Sequence, residues 1–332
     1  MKNYGVIKDN IYQPYKGSLK ERLTVRALLL REEKELEIGL LHVKITDDFG
    51  KRNHLETPGG GIEVGETALQ AIKREILEET GFEIYHLILV GSITTEYQLL
   101  GRYDHAHIFI AYVDKKRQES TDIHPLKWYP LTKILKKYEK DNVQNVGKII
   151  HARDYLLIKD LFSTPLIRRG KISDINQIMT IINDAKFRLK MSGSPQWQKG
   201  YPNNNTILND INNKQLYVLT INNQIIGTMT LMDYEPTYEH IYQGEWLIDG
   251  NYLVIHRLAI HQNYLNHGYA GNLLRYAQSL AEKMKKSSIK VDTHIMNDAM
   301  QKLLLKNNYK YCGIIYLNQL EDRQRLAYQL LI

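Results

Sequence analysis

The stretch TPGGGIEVGETALQAIKREILEETGF, residues 57–82, restricts local structure more tightly than any other part of the chain. Its glycine run lets backbone approach a ligand closely. The residues after it place Leu69, Ile72 and Ile76 at helical spacing, a stripe that faces a core. At roughly 100° per residue, Glu75, Glu78 and Glu79 fall together on an adjoining arc. Like charges three or four positions apart on a helix repel unless something positive sits between them. Gly81 is placed to end the helix in a left-handed cap. A carboxylate cluster beside a glycine loop suits a hard divalent cation, which takes oxygen ligands and shares them with substrate phosphates. The plain alternative is a solvated acidic helix after a glycine turn.

The chain has 332 residues, 43% hydrophobic and 24% charged, enough for two ordinary globular domains. Its net charge of +7 is a mild excess that suits anionic small molecules and argues against a dedicated nucleic-acid partner. No apolar run is long enough to span a bilayer, and MKNYGVIKDN lacks the apolar core of a signal peptide, so the expectation is a cytoplasmic protein with no membrane partner. An oligomer is left open. The single cysteine, Cys312, excludes an intramolecular disulfide and a multi-cysteine metal site, and its apolar setting reads as buried and inert.

Two unlike halves are expected: 1–162, a short linker at 163–166, and 167–332, with no repeat between them. In the first, LTVRALLL and LEIGLLHVKI flank a charged turn as a hairpin would, and two strand-like runs, YHLILVGSITTEY and HAHIFIAYV, come after the acidic helix. KWYPLTKILKKYEK then reads as a strand giving way to a basic helix. The second half reads as strand LIRRG, a long amphipathic helix, strands QLYVLTI, QIIGTMTLM and YLVIHRLAI, a helix from about 270 to 285, strand SIKVDTH, another helix, and the closing run YCGIIYL. Both halves are mixed α/β.

Gly60, Glu66, Arg74, Glu75, Ile76, Glu78, Glu79, Gly81 and Phe82 together resemble the signature of the Nudix hydrolases without a gap. A chance match at one position is on the order of 10⁻⁸. The resemblance extends over roughly residues 20–160 and implies an α/β/α sandwich that binds Mg²⁺ or Mn²⁺. It implies Glu75, Glu78 and Glu79 as metal ligands with the Gly59 carbonyl, and Glu66 and Arg74 as orienting partners. In this family the general base is either a glutamate of the signature, here Glu75 or Glu78, or an acid from a later loop, for which Glu119 and Asp122 are candidates beside a reading as solvated charges. Tyr97, sixteen residues after Gly81, resembles the mark of one subfamily; no proline occurs until Pro125, so two other subfamily marks are missing. His105 and His107 alternate on a strand and could line a pocket.

In NYLVIHRLAIHQNYLNHGYAGNLLRYAQSLAEKM a strand runs through a small-residue loop into a helix with Leu273, Ala277, Leu280 and Met284 at helical spacing. Unpaired amides and the helix dipole there favour a phosphate. The region 166–332 resembles the GNAT acetyltransferases, which have a mixed, splayed sheet with flanking helices. Gly268 and Ala270 meet the family's acetyl-CoA motif, while Leu265 stands where an Arg or Gln is usual. The resemblance implies that Leu265, Asn266, His267, Gly268, Tyr269 and Ala270 cradle the cofactor's diphosphate. Backbone at Leu258, Ala259 and Ile260 would meet the thioester, with Asn297 opening the next helix. Leu304 occupies the place of the family's tyrosine acid, so Tyr309, Tyr311, Tyr316 or water would supply that proton. Candidates for the base are His256, Asp292 and His294. Trp197 and Trp246 would wall the acceptor pocket or pack in the core.

The expected function is therefore twofold: metal-dependent hydrolysis of a nucleoside diphosphate linked to another moiety, and acetyl transfer from acetyl-CoA to an amine. One alternative makes the second half a ligand-binding or regulatory module. Another, hydrolysis at RNA ends, would need a basic face, hinted at by KILKK and KKYEK.

Overall fold

LTVRALLL lies in β2 (Lys20–Glu32), where Val25, Ala27 and Leu29 alternate with Leu28 and Leu30 and all five are buried. A strand apolar on both faces belongs inside its sheet. The computed structural model describes residues 2–8, 20–47, 50–97, 101–134, 152–318 and 322–332 and divides the chain into two units, Met1–Leu161 and Phe162–Ile332. In the first unit the other strands are β1 (Lys2–Lys8), β3 (Leu36–Asp47), β4 (Gly50–Glu56), β5 (Phe82–Tyr97), β6 (Arg102–Lys116) and β7 (Leu126–Pro130). They order as β1-β5-β6-β2-β3-β4, with β7 also paired to β3. β2 runs parallel to β6 and forms the expected hairpin with β3.

α1 (Ala68–Thr80) buries Ala71, Ile72 and Ile76 against Val25, Ala27, Leu29, Phe109 and Ala111. Leu69 departs from the expected stripe and is 51% exposed, because it lies about 60° round the helix from Ile72. Thr67 and Gln70 form a reciprocal capping box, and Gly81, at φ 76°, ends the helix left-handed with its N–H on the Leu77 carbonyl at 2.9 Å. The helical turn expected after Trp128 begins at 131–134, and the rest of the basic segment, including KKYEK, lies outside the described residues. α2 (Ala152–Leu161) buries Leu157, Ile158 and Leu161.

The second unit comprises β8 (Leu166–Arg169), α3 (Ile175–Met191), α4 (Asn204–Asn212), β9 (Leu216–Ile221), β10 (Gln224–Met232), β11 (Tyr252–Ile260), α5 (Tyr269–Lys283), β12 (Ser288–Thr293), α6 (Asp298–Lys306), β13 (Lys310–Tyr316) and β14 (Gln324–Leu331). The sheet order is β13-β14-β12-β11-β10-β9-β8. β14 is absent from the reading of the sequence, yet it fills the gap between β12 and β13. Ile178, Ile181, Ile182 and Ala185 of α3 pack with Ile207, Leu216 and Val218. On α5, Leu273, Ala277 and Leu280 are buried, whereas Met284 is the C-cap residue and 45% exposed, outside the expected core stripe.

Two irregularities of β11 bear on chemistry. Its parallel pairing with β12 covers only Tyr252–Ile255 against Ser288–Val291, although both strands continue, so a fork opens beyond Ile255. Against β10 the register skips from Thr228↔Ala259 to Thr230↔His256, placing Arg257 and Leu258 opposite Met229 alone. That is a β-bulge, and Arg257 sits in it at φ 52°. Among the described residues no helix is long and apolar enough to cross a membrane.

Candidate active sites

What lies between the crowded acids of α1 is Arg74. Its Nε and Nη2 donate to the two oxygens of Glu66, each at 2.9 Å, and Nη2 also reaches the Gly61 carbonyl at 2.9 Å. Nη1 donates to Glu75 at 2.9 Å and to Glu78 at 3.2 Å. The paired hydrogen bonds to Glu66 lift the Arg74 pKa further and hold the Glu66 carboxyl below its ordinary range.

The glycine loop lies along β2, with the Val25 N–H on the Gly60 carbonyl and the Ala27 N–H on the Pro58 carbonyl, both at 2.9 Å. No described backbone hydrogen bond ends on the Gly59 carbonyl between them. Gly59 has φ 136°, and a Cβ there would meet the Val25 carbonyl oxygen at 2.2 Å, so only glycine fits. Its N–H donates to Glu79 Oε2 at 2.6 Å. Burial pushes the Glu79 carboxyl up to about 8; Arg26 and the Gly59 amide oppose this, while Glu75 and Glu56 add to it.

The segment entering that loop hangs on a buried ion pair from α2. Arg153 donates through Nε and Nη2 to the two oxygens of Asp154, each at 2.9 Å, with the pair 1% and 0% exposed. Asp154 also accepts the Thr57 hydroxyl at 2.7 Å and the Thr57 N–H at 3.2 Å, and Arg26 Nη1 reaches the Thr57 carbonyl at 3.1 Å.

In the second unit, the fork between β11 and β12 collects polar groups. His256 Nε2 lies 3.2 Å from Glu235 Oε2, and its Nδ1 lies 4.0 Å from Asp292 Oδ1. Tyr238 donates to Asp292 at 2.7 Å. Burial raises the Glu235 pKa, but hydrogen bonds from His256 and Thr237 outweigh it and bring the value down to about 2. At the bulge, Arg257 makes a two-pronged contact with Asp210 of α4, Nε to Oδ2 at 2.6 Å and Nη2 to Oδ1 at 2.8 Å, and Thr230 Oγ1 donates to the same carboxylate at 2.9 Å. At the mouth of α5, Gly268 is the N-cap residue at φ 82°, and the Asn272 N–H bonds the Gly268 carbonyl at 3.2 Å. The amides just ahead of that bond have no place in the helix ladder and are available to an anion.

A NUDIX domain model matches residues 20–149, and an acetyltransferase (GNAT) family model matches residues 176–309. The chain carries a NUDIX domain followed by a GNAT acetyltransferase domain. Solved structures similar to the GNAT half include a GNAT-family acetyltransferase from Streptococcus agalactiae, 38% identical, covering 52% of this chain and 97% of that one with a TM-score of 0.47. Another is a GNAT-family acetyltransferase from Listeria monocytogenes, 17% identical over 51% of this chain and 95% of that one, TM-score 0.41. A Salmonella typhimurium protein solved with its cofactor acetyl-CoA is 15% identical over 50% and 93%, TM-score 0.39. No curated protein sequence matches the chain.

Within the NUDIX domain, Glu66, Arg74, Glu75 and Glu78 form one hydrogen-bonded set, and Glu79 joins Gly59. The loop acids do not join them. Glu119 is exposed and paired with Lys116, and Asp122 accepts the His124 N–H at 2.9 Å. The loop docks on α1 instead through Ser120 and Thr121, whose hydroxyls donate to the Glu79 and Glu78 carbonyls. Tyr97 accepts from Arg153 Nη1 at 2.9 Å, which gives its hydroxyl a structural partner. His105 Nδ1 bonds Thr94 at 3.0 Å; His107 Nδ1 is buried without a hydrogen-bond partner among the described residues. Arg153, Asp154 and Thr57 escaped the reading of the sequence; an adjacent Arg-Asp ahead of the apolar run YLLI in ARDYLLIKDL was the available signal.

Within the GNAT domain, His256 and Asp292 come together while His294 turns away. Its Nε2 pairs with Asp322 at 2.9 Å and its Nδ1 accepts the Met296 N–H at 3.1 Å, because β12 ends at Thr293 and the chain bends. Tyr309 is only 2% exposed and packs as core, among the described residues its hydroxyl has no hydrogen-bond partner, and burial raises its pKa well above the tyrosine range. Leu304 is buried too, and Tyr311 and Tyr316 are exposed. Asn297 caps α6 and bonds Gln196 at 3.2 Å. Asn266, His267 and Gly268 are exposed around the mouth of α5; Leu265, Tyr269 and Ala270 are half-buried; Leu258, Ala259 and Ile260 continue β11 past the bulge. Trp197 packs on the α3 core, and Trp246 packs beside Tyr238 and faces the Lys290 ammonium at 4.0 Å. Cys312 is buried. Glu235, Tyr238 and Asp210 had no signature in the sequence, since each acts across a long chain separation.

Proposed function

We propose that the NUDIX domain, over residues 1–162, hydrolyses a nucleoside diphosphate linked to another moiety, and that the GNAT domain, over 167–332, transfers acetyl from acetyl-CoA to an amine in the cytoplasm. The hydrolase reading is carried by the Arg74 guanidinium, which gathers Glu66, Glu75 and Glu78 beside a glycine loop whose Gly59 carbonyl ends no described backbone bond.

Among the described residues no three acidic, histidine or cysteine side chains converge into an ion cage as they stand: Glu75 and Glu78 lie on Arg74, and Glu79 lies on the Gly59 amide. The donor set nevertheless fits Mg²⁺ or Mn²⁺ in kind, since its members are hard oxygens, and Glu79 is crowded by Glu75 and Glu56 in a buried setting that a cation relieves. Glu75, Glu78, Glu79 and the Gly59 carbonyl would hold the ion. Such an ion neutralises the diphosphate and acidifies a water. The chain itself fixes the glycine loop against β2, with Arg74 and Glu66 locking the loop to the helix.

For acetyl transfer, the amine nitrogen bonds the acetyl carbon as the C–S bond to CoA breaks. His256, held between Glu235 and Asp292, takes the ammonium proton, and water protonates the departing thiolate in place of the buried Tyr309. That burial also favours a second reading, in which the GNAT half binds acetyl-CoA without transferring acetyl.

The test uses the full chain. A nucleoside-diphosphate panel is expected to be cleaved only with Mg²⁺ or Mn²⁺, and Glu79→Gln abolishes cleavage; turnover without metal, or none across the panel, overturns the hydrolase reading. With acetyl-CoA and an amine panel, release of free CoA supports transfer. Binding without release supports the second reading.

A further inference from the structure

Asp210 reaches from α4 to the strained residue of β11. It is buried at the end of α4 and takes both prongs of Arg257 together with the Thr230 hydroxyl. Thr230 is the cross-strand neighbour of His256, and Arg257 is the next residue along. One carboxylate therefore grips β11 in the bulge and β10 beside it. A bulge unassisted is free to slip its register, and a non-glycine residue at φ 52° drifts back to extended backbone unless something holds it. Arg257 is held at a third point by a hydrogen bond to Tyr201, and its side chain is 8% exposed.

We propose that Asp210 is a positioning residue for acetyl transfer: by clamping Arg257 in the left-handed conformation it fixes where the bulge aims the backbone at Leu258 and Ala259, and so tells an acetyl thioester from a free thiol. This rests on the acetyl-transfer reading of the fork. CoA's diphosphate is read at the mouth of α5, by amides the clamp does not touch. The clamp acts only on the acetyl end.

Calorimetric titration of the full chain with CoA and with acetyl-CoA tests it. Wild type binds acetyl-CoA more tightly than CoA, by up to about tenfold if one hydrogen bond to the thioester carbonyl makes the difference. Asp210→Ala is expected to leave CoA binding unchanged and bring acetyl-CoA down to the same level. The pair Asp210→Ala/Arg257→Gly and Asp210→Ala/Arg257→Ala separates aim from packing: glycine adopts the left-handed conformation without strain and alanine does not. The glycine pair recovers part of the preference for acetyl-CoA and the alanine pair recovers none. Equal weakening of both ligands by Asp210→Ala, no change in either, or equal behaviour of the glycine and alanine pairs overturns the clamp while leaving the acetyl-CoA reading standing. Failure of wild type to bind either ligand overturns that reading and the clamp with it.

Discussion

Replacing Asp154 with asparagine isolates what the buried ion pair of α2 contributes. Asp154 accepts two hydrogen bonds from Arg153 and two from Thr57, at 0% exposure. Asparagine keeps the shape but presents an NH₂ where one of these donors already points, and it removes the charge that balances Arg153. Breaking a buried pair by removing one partner costs roughly 3–5 kcal/mol. Arg153 retains Tyr97 as a hydrogen-bond acceptor and Glu56 as a nearby anion, so the loss falls at the lower end, about 3 kcal/mol. For a unit of this size that is a drop of roughly 6–12 °C in Tm. Differential scanning calorimetry of the full chain measures it as the displacement of one transition. The double replacement Arg153→Met with Asp154→Leu removes both charges at once; it strands the two Thr57 donors and takes the Arg153 donor from Tyr97, at about 1–3 kcal/mol, so it sits at or above the single variant in stability. A single-variant loss under about 1 kcal/mol, or a double variant clearly less stable than the single, refutes the assignment of stability to the charge pair.

Three further outcomes are expected from other parts of the chain. Gly81→Ala puts a side chain into a left-handed cap and a Cβ 2.0 Å from the Gln118 carbonyl; it costs at least about 1–2 kcal/mol and appears as a lower urea midpoint with an unchanged slope. Gly60→Ala places a methyl 2.5 Å from Glu75 Oε1; the flexible carboxylate swings away, so hydrolysis falls by an order of magnitude or more while Tm moves little, by kinetics beside calorimetry. Glu235, held at about 2 against an ordinary 4.5, is a depressed carboxyl, so its contribution is complete above about pH 4.5 and is lost as pH falls toward 2; Glu235→Gln flattens that limb of an acid titration monitored by circular dichroism.

Many elements were legible in the sequence, because strands buried on both faces, such as QIIGTMTLM, read as near-continuous apolar runs and burial of one face imposes a helical stripe on α3. The acidic register of α1 was legible for the same reason, and so was the glycine that ends it. The partners were not. Asp210 lies 47 positions from Arg257, Asp154 lies 97 from Thr57, and Glu235 meets His256 across 21, so no local pattern announces them. His294 shows the limit of alternation: two residues beyond Asp292 it should share a face, but the strand ends between them and the side chains part. β14 escaped because its place is set by the unpaired edges of β12 and β13 and not by its own residues.

That strand also sets a timetable for biosynthesis. β14 is the innermost partner of both β12 and β13, yet its residues, 324–331, leave the ribosome after either of them. Until it emerges, β12 offers an open edge, and β13 has no place to dock. The acetyltransferase half thus passes through a nascent state that can recruit a stray strand from another chain. The hydrolase half has a wait of the same kind, for β6 between β2 and β5, but it ends earlier in translation, with more than half of the chain still to come. Shortening the chain ahead of Gln324 would leave that nascent state permanent, and the product would be expected in the insoluble fraction.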